Sequence, residues 1–582
     1  MTRSIAAISR RFVTKAVLPL LAVAVPGLAA LAITGCADEN DPKTWVKRLD
    51  DPKDRVGAIK RLQSFYDDAY SNSGRDAGAD SVKALLDVIV QPMTNTYVSA
   101  DLDEKTRKEL MHSLAGMHDA RTAPAFAKAL GACEAGKGSD EARDAAQATK
   151  DMALAGQPID PTVADGLWTC FTTMQASKPS TAATLTAVHD AIRAVKSPSY
   201  GPKAVTLLAV PIDPKNPDGA ADQLRAWQLT AVQVIGDLKF APGARSLVTV
   251  ILTPEKRPLW PAAEAALVAN PKDSETLLIA ALNGTDPAFA AAAKGFGNDK
   301  TQVAIAADAL GQISRPAGRD ALYAAIPAID NDENRRAVAT TLVKFPKDGK
   351  AWGLFKGLYD KLPDDPERMQ AKGSLAQAAS QFYDPQVTDW AVKEANSAKG
   401  DSASILQIPA LDTAIKLMSA AQEGEVKSAL DPVVAFLSKN GSQDEQAGAK
   451  TEKAMYDAAV PLLAKCATDA MCYAKTLDAP IGSDISAAAG PVKAIYEAVI
   501  NAGSNGAAIE KALLGHVSAV KQPAVRIALV EAIDKLAPGG DAAAADQLDK
   551  MIVADKAGGD PKVLASDDTV AKVAARLRAR LP

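Results

Sequence analysis

Aromatic residues make up only 5% of this 582-residue chain, which has just four histidines and five cysteines. So few histidines leave little material for a metal or acid–base centre. His112 and His118 are six residues apart, on different faces of any helix, and His516 stands alone. His189 shares an apolar face with Leu185, Val188 and Ile192, so an interior or rim position is expected. No segment sustains the alternation of a half-buried strand, so no sheet is expected. The motifs GxSxG and HExxH and a phosphate-cradling glycine loop are missing. Asp330-Asn331-Asp332-Glu333-Asn334 opens like a calcium loop. However, Arg335 stands where glycine is needed and no acid closes the loop at Thr341, so it reads as a helix-capping turn. These absences argue against catalysis, and no catalytic residue, metal or cofactor is expected.

Basic runs interleaved with aromatics are also missing, and the formal charge is −4. The first 35 residues hold Arg3, Arg10, Arg11 and Lys15 and no acid, so a chain without them carries −8. Such a surface repels phosphate backbones, and nucleic acid is not an expected partner. What the chain does have is alanine in quantity. Alanine is the best helix former, and small side chains allow close helix stacking.

The basic start is followed by an apolar run over 16–34, the order of an export signal. Pro19, Pro26 and Gly27 interrupt the run, which is barely long enough for an uncleaved membrane anchor. The run ends in Leu31-Ala32-Ile33-Thr34-Gly35-Cys36, which resembles the lipobox of bacterial lipoproteins. That resemblance implies cleavage after residue 35 and diacylglyceryl and N-acyl groups on Cys36, the only covalent additions expected. It also implies a protein exported to the periplasmic face of the envelope. By the enterobacterial sorting rule, Ala37 rather than Asp38 after the cysteine favours the outer membrane over the inner. Ser9-Arg10-Arg11-Phe12 resembles part of a twin-arginine signal, though ordinary unfolded export stays ahead. Residues 36–43 form a tether reaching at most roughly 25 Å, which keeps the body near the membrane surface.

From residue 44 to the end one pattern recurs. Val525, Ala528, Leu529, Ala532, Ile533 and Leu536 line one face of a helix, as do Met455, Ala458, Ala459, Leu462, Leu463 and Cys466. Similar faces open at 227, 263, 303, 338, 375, 411 and 495, so that intervals from 227 to 525 run between 30 and 44 residues. Poorer faces open upstream at Ile59, Leu110, Ala145 and Leu185, and Val570 begins a closing one. Turns rich in Pro, Gly and Asp separate paired apolar segments, the pattern of an α-solenoid.

Several repeats resemble HEAT units, in which a turn Asp precedes an Arg near the start of the second helix. Asp50/Arg55, Asp101/Arg107 and Asp330/Arg336 fit that arrangement, and Arg526 fits the Arg alone. The resemblance implies an all-α, right-handed solenoid of a dozen or more antiparallel helix pairs over 44–582, with ion pairs stitching the turns. Insertions are expected near 197–219, 438–452 and 554–568. Four cysteines remain after Cys36, and in an oxidising compartment Cys133–Cys170 and Cys466–Cys472 are the favoured disulfides, with buried free thiols the alternative.

A solenoid of this kind offers a long concave surface, so a non-catalytic, membrane-anchored scaffold for a protein or peptide is the expected function. An enzyme or cofactor binder similar to HEAT-like bilin lyases and a structural envelope spacer are the alternatives.

Overall fold

The computed structural model describes residues 38–133, 140–175, 179–213, 220–297, 301–363, 365–400, 403–478 and 485–582. The export signal over 1–35 and Cys36 lie outside them. Helix starts follow a simple local rule. Asp41, Asp160, Asp286 and Asp560 each precede a proline at the first helical position and accept a hydrogen bond from the backbone N–H two residues on. The aspartate satisfies a donor that the first turn leaves open, and the proline supplies a preset φ without wasting an N–H. Much of the proline content therefore starts helices instead of breaking them.

The described residues are helical with no strand. The chain divides after Met93 into two units. The smaller contains the helices Pro42–Arg48 and Arg55–Asn72 and most of Asp80–Ser99. The larger is an all-α solenoid of stacked antiparallel helix pairs. One layer of it contains, in order, Glu104–Met117, Asp140–Leu154, Pro179–Val195, Ala220–Asp237, Trp260–Ala269, Thr301–Ile313, Asp332–Leu342, Pro366–Ala378, Ser404–Leu417, Gln443–Cys466, Ile485–Ile500, Pro523–Leu536 and Asp567–Ala579, each packed on the next. Every apolar face read from the sequence between 110 and 577 falls on this layer. Its contacts are made by fully buried aliphatic side chains such as Leu310, Val338, Leu375, Leu411 and Ile495. Removing that apolar area from water stabilises the stack at roughly 25 cal/mol per Å². Small residues set the spacing: a Cβ at Gly373 would lie 2.2 Å from the Ile405 carbonyl oxygen, so the Pro366–Ala378 and Ser404–Leu417 backbones touch.

Three expectations change. The stretch near 197–219 is described as far as 213, where it contains the helix Tyr200–Ala209 with Tyr200, Ala204 and Leu208 buried, so that part is not an insertion; 214–219 lie outside the described residues. The polar stretch 438–452 is a two-residue turn followed by the start of the Gln443–Cys466 helix, fixed by a reciprocal capping box between Ser442 and Glu445. Residues 554–568 are the end of Ala542–Gly558, the short helix Pro561–Leu564 and the start of Asp567–Ala579. Among the described residues no helix is long and apolar enough to cross a membrane.

The largest difference concerns the inner layer. Its last helix, Asp567–Ala579, packs on Trp260–Ala269 and Thr301–Ile313 as well as on Pro523–Leu536 and Ala542–Gly558. Within the larger unit the layer thus returns onto its own earlier helices. The long open groove expected from the repeat pattern is interrupted there, and two adjoining clefts lie along the inner layer beside the closure.

Candidate functional site

The larger cleft, about 580 Å³, is walled by five successive helices of the inner layer, from Pro366–Ala378 to Pro523–Leu536. Ala378, Ala488, Ala489, Ala524 and Ala528 line it, a consequence of the alanine-rich composition that lets a ligand's main chain approach closely. Ser374, Gln377, Thr451 and Gln522 supply neutral hydrogen-bonding groups. The Gln522 Oε1 is buried and has no hydrogen-bond partner among the described residues.

The charges in the cleft are already engaged. Lys416 Nζ lies 2.7 Å from Asp412 and 5.7 Å from the centre of the Tyr496 ring. Burial opposes its charge, but Asp412 and Tyr496 more than offset that and hold the ammonium protonated. Behind it Glu452 is buried, and loss of water together with Asp412 keeps its carboxyl protonated far above the usual range. Tyr496 stacks on Tyr383 with ring centres 4.7 Å apart. Glu531 accepts from Gln381 at 3.0 Å, and burial raises its pKa.

A second cleft of about 290 Å³ shares Ala378, Gln381 and Glu531 with the first as a common wall, so the two adjoin. Its walls come from distant parts of the chain: Gln312, Thr340 and Lys344 on one side, Asp534, Lys535, Lys572 and Arg576 on the other. Asp534 anchors this second wall, accepting from Arg576 at 2.9 Å and from Arg580. Lys535 is buried and donates to the carbonyls of Val343 and Phe345, just beyond the Asp332–Leu342 helix. The same device recurs where Lys493 donates to Lys416 O and Met418 O at 3.0 and 2.6 Å, and where Lys256 donates to Leu208 O. Interior lysines thus satisfy the carbonyls that helix C-termini leave open. Sequence reasoning missed them, because a lysine on a helix face reads as solvated until its neighbour is known.

These buried groups set a pH dependence. Burial, reinforced by Arg576 and Arg580, pulls Lys535 from 10.5 down to about 7 despite the opposing Asp534 and Glu531. Burial, with Asp308 adding to it, pushes Glu264 from 4.5 up to about 7. The acid binds protons more tightly when folded, so its contribution is full below pH 4.5 and lost as pH rises through 7. The lysine binds them less tightly when folded, so its contribution is full above 10.5 and lost as pH falls through 7. The expected profile of melting temperature is a fall from pH 5 to 7 and a recovery from pH 7 to 10. In Lys535→Met the alkaline recovery should shrink; a wild-type profile flat over pH 7–10 would contradict the assignment.

Arg55 donates to the Leu49 and Asp50 carbonyls at 2.7 and 3.4 Å, binding the main chain of the turn. Arg107, expected to act with Asp101, reaches Glu141 in the next helix of the layer at 2.9 Å. Glu141 also accepts from Tyr97, so this pair does link neighbouring repeats, with a different acid. At the third site Arg335, one residue before the expected Arg336, pairs with Asp332 at 2.6 Å and donates to the Asp330 carbonyl. Arg336 is exposed. Register explains the shift: Asn331 caps the helix by accepting from Asn334 N, which turns position 335 towards the turn. Arg526 is fully buried and bridges Asp555, Ser566 and Asp567.

Cys133 and Cys170 are bonded, with Cα atoms 5.1 Å apart, joining the Ala123–Gly131 and Pro161–Thr173 helices. Cys466 and Cys472 are bonded likewise at 5.3 Å, across the turn between Gln443–Cys466 and Ala470–Lys475. Among the described residues no group of three or more His, Cys, Asp or Glu side chains is arranged to hold a metal ion. His189 accepts from or donates to Thr230 at 3.0 Å, and burial lowers its pKa.

No protein-family model matches the chain, and no curated protein matches it. Among solved structures it is similar to Kap121p, in its crystal structure bound to Nup53p, with 12% identity over 91% of this chain and 55% of that one, at a TM-score of 0.44. It is also similar to importin beta, crystallised in a polyethylene glycol condition, with 10% identity over 93% of this chain and 77% of that one, at a TM-score of 0.34. The chain spans about half the length of Kap121p.

Proposed function

We propose that this chain is an exported, lipid-anchored scaffold without catalytic activity that holds a short extended segment of a partner protein in its larger inner cleft. The observation that carries the reading is the cleft itself. It lies within the roughly 300–1,000 Å³ typical of ligand sites, has a floor of alanines, and is rimmed by neutral amides and hydroxyls. Peptide groups are neutral donors and acceptors, matched to the Ser374, Gln377 and Thr451 side chains that line the cleft. A charged small molecule would find Lys416 and Glu531 already engaged with Asp412 and Gln381. The anchor rests on the sequence around Cys36, whose lipid would place the cleft at the periplasmic face of the envelope, at the outer membrane by the residue that follows it.

Two measurements test this reading. A photo-crosslinking amino acid in place of Ser374, exposed at the cleft, should capture one dominant protein in living cells. The same group in place of Phe436, exposed on the Glu423–Asn440 helix and not part of the cleft, should not. Equal labelling at both positions, or none at Ser374, refutes the cleft as a docking site, and none at either favours a spacer. Cys36→Ala should abolish fatty-acid labelling and move the protein to the soluble fraction; membrane retention without label would overturn the anchor.

A further inference from the structure

The last helix of the inner layer brings three polar side chains to one face. Thr569, Lys572 and Arg576 follow one another at i, i+3 and i+7, a spacing that lines them along one side of Asp567–Ala579. That side walls the second cleft, opposite Gln312, Thr340 and Lys344. On an open array such a stripe would simply face water. Here the return of the layer onto itself covers Arg576, whose side chain is 12% exposed, while Lys572 stays half exposed.

Formal charge alone does not select a ligand for this cleft. Lys344, Lys535, Lys572, Arg576 and Arg580 stand in or beside it, and so do Glu264, Asp308, Glu531, Asp534 and Asp568. Hydrogen-bonding capacity is what is unbalanced. One carboxylate oxygen of Asp534 accepts from Arg580 and the other from Arg576 Nε at 2.9 Å. Asp308 is held by Lys344, and Asp568 by Lys572 at 2.7 Å. Lys535 directs its N–H groups to the Val343 and Phe345 carbonyls. Neither terminal nitrogen of Arg576 makes a hydrogen bond among the described residues, and the side chains of Gln312 and Thr569 make none either. Burial raises the Glu531 pKa and, with Asp308, pushes Glu264 to about 7, which reduces the negative charge these two bring at neutral pH. The cleft has donors in surplus and lacks acceptors.

An oxyanion supplies what is missing. The two terminal nitrogens of a guanidinium form a flat pair of donors that matches the two oxygens of a carboxylate. At about 290 Å³ the cleft is at the small end of ligand sites, sized for a carboxylate on a short carbon chain and not for a helix.

We propose that the second cleft is an oxyanion pocket in which Arg576, Gln312 and Thr569 bind a carboxylate. Ala378, Gln381 and Glu531 form the wall it shares with the larger cleft, so an Asp or Glu side chain of the docked segment is its nearest source. That source rests on the docking reading given above, whereas the pocket does not.

Isothermal titration of the purified chain with glutarate, in chloride buffer and with no partner present, tests the pocket. Saturable binding is expected, weakened by added salt and lost with glutaramide, the uncharged isostere. Arg576→Lys keeps the charge but not the paired donors and should weaken glutarate roughly tenfold. Gln312→Leu, on the opposite wall and in no ion pair, should weaken it severalfold. Lys439→Gln, exposed on Glu423–Asn440 outside both clefts, should leave it unchanged. No saturable binding, equal binding of glutaramide, or binding untouched by both Arg576→Lys and Gln312→Leu overturns the pocket. The source is read with the photo-crosslinker at Ser374, where adding Gln312→Leu should reduce capture of the partner. Undiminished capture refutes the docked segment as source and assigns the pocket to a free anion. If glutarate binds as described and Ser374 captures no protein, the pocket stands and the docking reading falls.

Discussion

Arg526→Met is expected to destabilise the protein by about 3–5 kcal/mol, the cost of leaving buried charge unpaired. The Arg526 side chain is only 1% exposed. It lies 2.5 Å from Asp555, donates to Ser566 at 2.9 Å and to the Val520 carbonyl at 3.3 Å, and lies 3.6 Å from Asp567. Three helices, Pro523–Leu536, Ala542–Gly558 and Asp567–Ala579, therefore meet on one guanidinium. Burial and the neighbouring Asp555 already raise the Asp567 carboxyl, so the arginine is what keeps both acids tolerable there. Arg526→Lys preserves the charge but not the planar fork and should lose an intermediate amount. Denaturant unfolding followed by circular dichroism reads both variants. A loss below about 1 kcal/mol for Arg526→Met, within the range of an exposed ion pair, would show that the cluster is solvated.

Asp534→Ala should cost a similar amount, about 3–5 kcal/mol, and should act first on the end of the chain. Asp534 is 3% exposed and bonds both Arg576, 12% exposed, and Arg580, 1% exposed. Removing it strands two guanidinium groups in a site that also holds Lys535. The sign is testable by restoring neutrality. Converting Arg576 and Arg580 to Met in the Asp534→Ala background should recover most of the loss, because a buried ion cluster and an apolar one are often near equivalent in stability. Limited proteolysis should cut within 560–582 in Asp534→Ala and much less in the triple variant. Equal protease resistance of Asp534→Ala and wild type would contradict the role given to Asp534.

Much of this architecture was legible locally. The apolar faces opening at 227, 263, 303, 338, 375, 411, 455, 495, 525 and 570 all lie on one layer of the solenoid, because helical period and burial are properties of short segments. Arg526 could be singled out for the same reason, since its place in a repeat is local. What was not legible depends on partners far away in sequence. Lys535 looks like any solvated lysine until residues 343–345 are beside it, and nothing within a repeat says that Asp567–Ala579 will meet Trp260–Ala269. The small curvature added by each repeat accumulates over the array, and only its sum decides whether an inner face stays open or closes on itself. Composition misled over 197–213, where prolines read as part of an insertion flank and open a buried helix, because proline at a helix start and proline in a loop count alike. Charge pairing in the turns was right in kind, but its register depended on which residue capped the helix.

The larger unit closes its inner layer on itself through the packing of Asp567–Ala579 on Trp260–Ala269 and Thr301–Ile313. Lys344 and Lys572, 228 positions apart in the chain, face the same small cleft from its two sides. A short amine-reactive crosslinker followed by peptide mass spectrometry should join these two lysines in the native protein, and a urea-unfolded sample should lose the link. An array that leaves its inner face open would give links between neighbouring repeats and none between Lys344 and Lys572.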